Sequence, residues 1–159
     1  SSVEKEAQES HHKELLSVFQ QWLKVYESYE SDFVNSPPEE SADIEAKLLK
    51  FENEKLLPAF DQSVELVLTK ADEELLSAVL DLTAQYKGGM ELHFSLAIAR
   101  IYRKNPDLFV ELYRKMPYGY RVNIYDALQK GWKEHLKKDL HNDWTIELTK
   151  RLATISPSP

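Results

Sequence analysis

The 159-residue sequence contains no cysteine. That absence removes Cys-ligated zinc, iron–sulfur clusters, thiol catalysis and every disulfide scaffold, although it fixes no compartment, because cysteine-free proteins occur in oxidising and reducing environments alike. Long apolar runs are missing too. Charge interrupts each of them well short of the ~20 residues of a membrane span, so a soluble chain with no transmembrane segment is expected. No G-x-S-x-G, G-x-x-x-x-G-K, H-E-x-x-H or EF-hand loop occurs, and Gly88-Gly89 alone does not cradle a phosphate. Glycine itself is scarce, at four residues.

What is present is helix-forming. Leu occurs 22 times against 9 Val and 6 Ile, and β-branched and aromatic residues never alternate with polar ones over a strand's length. An all-α chain of about seven to eight antiparallel helices follows. A chain of this length buries a core large enough to hold itself together without metal or disulfide, so a single domain over 1–155 is expected, with 1–12 as a mobile polar tether and 156–159 as a disordered tail.

Punctuation outlines the helices. Leu15, Phe19, Trp22, Tyr26 and Tyr29 recur at three- and four-residue spacing, which predicts one long amphipathic helix from Val3 to about Ser31. Ser36-Pro37-Pro38-Glu39 has the form of a capping box, so a second helix starts there or at Ser41 and runs to about Lys55. Leu57-Pro58 restarts the chain, and a third helix ends near Lys70. Asp72 caps a fourth, which stops at Gly88-Gly89 in a left-handed cap. A fifth helix ends at Asn105, which caps a sixth opened by Pro106 and closed by Met116-Pro117. The seventh starts near Gly119; Gly131 either ends it or lies inside a longer helix reaching Leu136. Asn142 or Asp143 caps the last.

Leu76 and Leu80 lie 33 residues before Phe109 and Tyr113, and each pair precedes a short break and another amphipathic helix. From Asp72 to Gly131, and especially at NPDLFVELYRKMP, the chain resembles HEAT-like α-solenoid hairpins. The resemblance covers about 60 residues at the level of architecture. It implies a helical bundle or short α–α superhelix behind the long first helix, with a concave surface for another macromolecule; no functional residue carries over.

Charge is uneven. Residues 1–74 hold 18 acids against 7 bases, and residues 75–159 hold 9 acids against 13 bases, within a net charge of -7. The basic half is rich in Arg and Tyr, residue types that offer flat stacking area plus hydrogen-bond donors at protein interfaces. Tyr102, Tyr113 and Tyr125 keep helical register with apolar neighbours and are expected in the core. Tyr118 and Tyr120 flank Gly119 in a turn, where no helical face buries both. The expected contact patch is therefore Arg100, Arg103, Arg114, Tyr118, Tyr120 and Arg121. Nucleic acid is a poor partner for a chain of pI about 5.3, which repels phosphate outside that patch.

The enzymatic alternative starts from histidines. Glu9 and His12 form the one E-x-x-H pair, whereas a di-iron bundle needs two such pairs plus two further inward Glu residues. His135, Asp139, His141 and Asp143 are the tightest set of metal-ligating types, suited to zinc or nickel. Lys137 and Lys138 stand between those ligands, and Asn142 or Asp143 is needed as a cap, so no metal or other cofactor is expected. A hydrolytic site assembled from acids on distant helices is invisible in one sequence.

The expectation is thus a non-enzymatic protein-binding module, an adaptor or complex subunit. An immunity- or inhibitor-type protein that binds a secreted effector is the alternative within that class, and a metal-dependent or carboxylate-based hydrolase the alternative outside it. The first residue, Ser1, followed by a polar stretch, leans the expected location toward export to the periplasm.

Overall fold

In the computed structural model, which describes residues 1–138 and 142–159, every regular element is helical and no strand occurs among the described residues. In order these are α1 (Ser2–Asn35), a 3₁₀ turn (Pro38–Glu40), α2 (Ser41–Phe51), a π-helical turn (Glu52–Leu56), α3 (Leu57–Lys70), α4 (Glu73–Gln85), α5 (Glu91–Lys104), α6 (Pro106–Arg114), α7 (Tyr118–Leu136) and α8 (Asp143–Thr154). No helix among the described residues is long and apolar enough to cross a membrane. Contacts gather the chain into two units, Ser1–Ser63 and Val64–Pro159.

In the first unit, α1 begins at once: the Ser1 hydroxyl accepts from the amide of Glu4 at 3.2 Å. Its apolar stripe buries Leu15, Phe19 and Trp22, and α1 packs on α2 and on the π turn. The indole N–H of Trp22 donates to the buried carboxylate of Glu52 at 3.1 Å. Two expectations change here. Ser36 does not form a capping box; it closes α1, its amide donating to Asp32 at 3.0 Å, because Pro37 is extended and the 3₁₀ turn that follows has no side-chain cap. The chain also does not restart at Pro58. The amide of Leu57 reaches back five residues to the carbonyl of Glu52, and this widened turn gives the proline ring the room that a regular turn denies it, so helix continues through.

The second unit is built on α4 to α8. α5 on α7 is its most extensive pairing; α4 packs on α7 and α6, and α5 on α6. The buried side chains include Leu75, Leu76, Leu80, Phe94, Ile98, Phe109, Ile124, Leu128 and Trp132. Three caps fall where the sequence places them: Asp72 accepts from Leu75 at 2.9 Å, Asn105 from Leu108 at 3.3 Å and Asn142 from Trp144 at 2.9 Å. The left-handed cap does not. α4 ends at Gln85 with Tyr86 extended, no glycine has positive φ, and the one left-handed residue among those described is Ala71, at φ 51°. Gly131 lies inside α7, which runs on to Leu136, and sits against Ser95 and Ala99 of α5 with no room for a β-carbon.

α8 is held from three directions by phenols. Tyr102 on α5 donates to the carbonyl of Leu148 at 2.7 Å, Tyr125 on α7 to Leu152 at 3.1 Å, and Tyr113 on α6 to Ile155 at 2.9 Å. Trp132 adds an indole bond to Thr149 at 2.8 Å, and Arg151 pairs with Asp107 at 2.8 Å. Tyr102 and Tyr113 are fully buried, as expected of core residues, and burial pushes both phenols up to about 12, with Arg151 and Arg121 respectively pulling the other way. Tyr125 is half-buried.

Candidate functional site

The turn between α6 and α7 assembles part of the expected patch. Pro117 stops α6 and starts α7, leaving Tyr118 on the first turn, 45% exposed, with Val122 one turn further at 39%. The guanidinium of Arg121 lies over the Tyr118 ring, 5.7 Å from its centroid. Its Nε donates to the carbonyl of Met116 at 3.1 Å and its Nη2 to that of Ser158 at 3.2 Å. Each of those bonds carries a charged donor and replaces freedom that a long side chain otherwise has to lose on binding. Arg114 is exposed at the end of α6, next to Lys115, which pairs with Glu111 at 3.6 Å.

The remaining expected residues go elsewhere. Tyr120 is half-buried. Arg100 is exposed and Arg103 half-buried near the C-terminus of α5, where the carbonyl of Arg103 accepts from the indole of Trp144 at 3.1 Å. The first eight residues of α6, about 12 Å of helix, lie between these two arginines and Arg114, with Tyr118 and Arg121 beyond it. Sequence reasoning missed Val122 and the tail contact at Ser158. The i,i+4 spacing of Tyr118 and Val122 is a signal for the first; nothing local signals the second.

A hollow of about 360 Å³ opens between α4, α5 and α7. Thr83, Ala84, Tyr86, Phe94 and Ser95 are its buried residues, while the charged groups Lys87, Glu91, Asp126 and Lys130 are exposed around it. Lys130 is paired with Asp126 at 3.1 Å, and Asn123 donates to the carbonyl of Ala84 at 2.8 Å. Asp81, on α4, has its carboxyl raised by burial, against a hydrogen bond from Gln85 that lowers it.

Among the described residues no group of three or more His, Asp or Glu side chains is placed to hold an ion. His135 stacks on Trp132, ring centroids 5.1 Å apart; Asp139 and His141 lie outside the described residues. Glu9 is exposed and His12 half-buried on α1, and the His11 ring lies 3.9 Å from the Glu14 carboxylate. In the first unit, Tyr26, Tyr29 and Phe33 continue the aromatic stripe of α1 beyond Trp22. The Tyr26 phenol is raised, by burial first and then by Glu30, Tyr29 and Glu52.

Comparison with protein-family models, with curated proteins and with solved structures finds no match to this chain.

Proposed function

We propose that the chain is a non-enzymatic protein-binding module, an adaptor or complex subunit, that presents the α6–α7 turn of its second unit to another protein. One observation carries the reading. Tyr118 and Val122 are exposed side by side with an arginine already fixed by two carbonyls and an aromatic ring. An aromatic and an Arg held in place before contact are the groups that supply most of the energy at protein interfaces, because little conformational freedom is left to lose. Arg114 extends the surface on the α6 side, while Arg100 and Arg103 form a separate basic group at the far end of that helix.

The same reading takes α4–α5 and α6–α7 as two stacked helical hairpins of HEAT-like kind. It is supported by the packing of α5 on α7 and of α4 on α6, the like-on-like pairing that successive repeats require; against it, α4 packs more extensively on α7 than on α6, and α4–α5 and α6–α7 touch little.

The test is affinity capture from the native lysate with the parent chain, Arg114→Glu and Tyr118→Ala. Arg114 makes no ion pair with a described residue and Tyr118 is exposed, so both variants are expected to fold. Discrete partners held by the parent chain and lost by both variants support the proposal; equal recovery by all three removes it.

A further inference from the structure

The buried stripe of α1 outruns its cover. Leu15, Phe19 and Trp22 are buried, and the same face then carries Tyr26, Tyr29 and Phe33, with successive ring centroids from Trp22 onward 5.2, 5.7 and 5.6 Å apart. Tyr26 and Tyr29 are half-buried, Phe33 is 45% exposed and its neighbour Val34 80%. An apolar face of this kind at the end of a hairpin costs solubility unless something covers it.

Charge indicates what does. Between Val25 and Ala46 the chain holds seven carboxylates, among them Glu27, Glu30, Asp32 and Asp43, and no Lys, Arg or His. None of these four is in an ion pair with a described residue. The last turn of α1 likewise carries no base, although the partial negative charge at a helix C-terminus favours bases there and disfavours Asp32. Local stability rules are thus broken in one direction, toward negative potential around the exposed Phe33 and the half-buried Tyr26 and Tyr29, and such departures mark sites selected for something else. The carboxylates do not converge on a point that would hold a single ion. Lys24 and Lys47, beside Tyr29 and Asp32 in a hollow of about 270 Å³ between α1 and α2, lie outside the stretch that lacks bases and bound it.

We infer that this open end of the α1–α2 hairpin docks a segment of another protein bearing several Arg and Lys side chains. Arg fits best. A guanidinium lies flat on an aromatic face while its edge pairs with carboxylates, and Tyr26, Tyr29 and Phe33 offer a row of faces with carboxylates beside them. This surface lies wholly in the first unit and carries the opposite charge to the α6–α7 turn, so it stands independently of the preceding proposal.

The experiment is a fluorescence-anisotropy titration of the full chain with a labelled Arg/Ala peptide, at near-physiological salt. Its Lys/Ala and Glu/Ala counterparts are titrated in parallel, with unlabelled spermine as competitor. The Arg peptide is expected to bind more tightly than the Lys peptide, and the Glu peptide not at all. Phe33→Ala and the pair Glu30→Lys, Asp32→Lys, all at exposed positions, are each expected to weaken the Arg peptide by roughly tenfold. Arg114→Glu leaves it unchanged. Three results overturn the inference: no binding of the Arg peptide, full affinity in Phe33→Ala, which reduces the contact to unspecific charge, or displacement by spermine at concentrations equal to the peptide's.

Discussion

A β-carbon built on Gly131 stands 1.9 Å from the carbonyl oxygen of Ser95, backbone against backbone, with Ala99 3.0 Å away on the same helix. α5 and α7 thus meet at a point that admits no side chain. Gly131→Ala gains helix propensity of up to about 1 kcal/mol and loses more to overpacking, so a net destabilisation of roughly 1–3 kcal/mol is expected in urea unfolding. Gly119→Ala is the control. Nothing lies within 4 Å of its added carbon, and it sits in the first turn of α7, so neutral or slightly raised stability is expected. Equal effects at the two positions would contradict the close crossing.

The phenols that hold α8 give the fold a ceiling in pH. Tyr102 and Tyr113 titrate near 10 when unfolded and are pushed up to about 12 when folded, so the unfolded chain releases those protons first. Their contribution is complete below about pH 10 and is lost as pH rises toward 12. Stability measured in denaturant from pH 9 to pH 12 is expected to fall across that window. Tyr102→Phe, which removes one hydroxyl bond at a cost of about 1 kcal/mol at neutral pH, flattens the fall. An unchanged slope in that variant would remove Tyr102 from the explanation.

Ala71 carries a conformation that suits glycine. A non-glycine residue at φ 51° costs roughly 1–2 kcal/mol, of which glycine's greater freedom when unfolded returns part. Ala71→Gly is expected to stabilise the chain by about 0.5–1 kcal/mol in thermal or urea unfolding, against the usual direction of such a change.

That position also shows where sequence reading stops. Asp72, Asn105 and Asn142 are legible as caps because a cap is a bond between a side chain and an amide two or three residues on. Gly88-Gly89 looks like the natural left-handed stop, yet α4 ends before it, and the left-handed residue falls on Ala71 at the end of α3. Pro58 looks like a break, but a π turn upstream absorbs it. The candidate surface divides the same way. Exposure of Tyr118 follows from its turn, whereas the fixing of Arg121 by Ser158 depends on residues 37 apart. The open end of the α1 stripe depends on how far α2 covers it, which periodicity does not encode.

The Trp22–Glu52 bond gives a further test. Trp22→Phe keeps most of the buried volume but leaves the Glu52 carboxylate without its indole donor, so a loss of about 2–3 kcal/mol is expected. Glu52→Gln keeps an acceptor for the indole and is expected to cost about 1 kcal/mol or less. A double-mutant cycle in urea reads the coupling; additive losses would mean that the bond contributes nothing.

The central claim is that function resides on the exposed Tyr118–Arg121 surface and not in an enclosed site. Site-specific photo-crosslinking measures it most directly, with a benzophenone side chain placed at position 122, beside the intact Tyr118, and, as a control, at the similarly exposed position 146 on α8. A discrete crosslinked protein from 122 that disappears when Arg114 is changed to Glu, with none from 146, is the expected result. Crosslinking that is equal from both positions, or indifferent to Arg114→Glu, would contradict it.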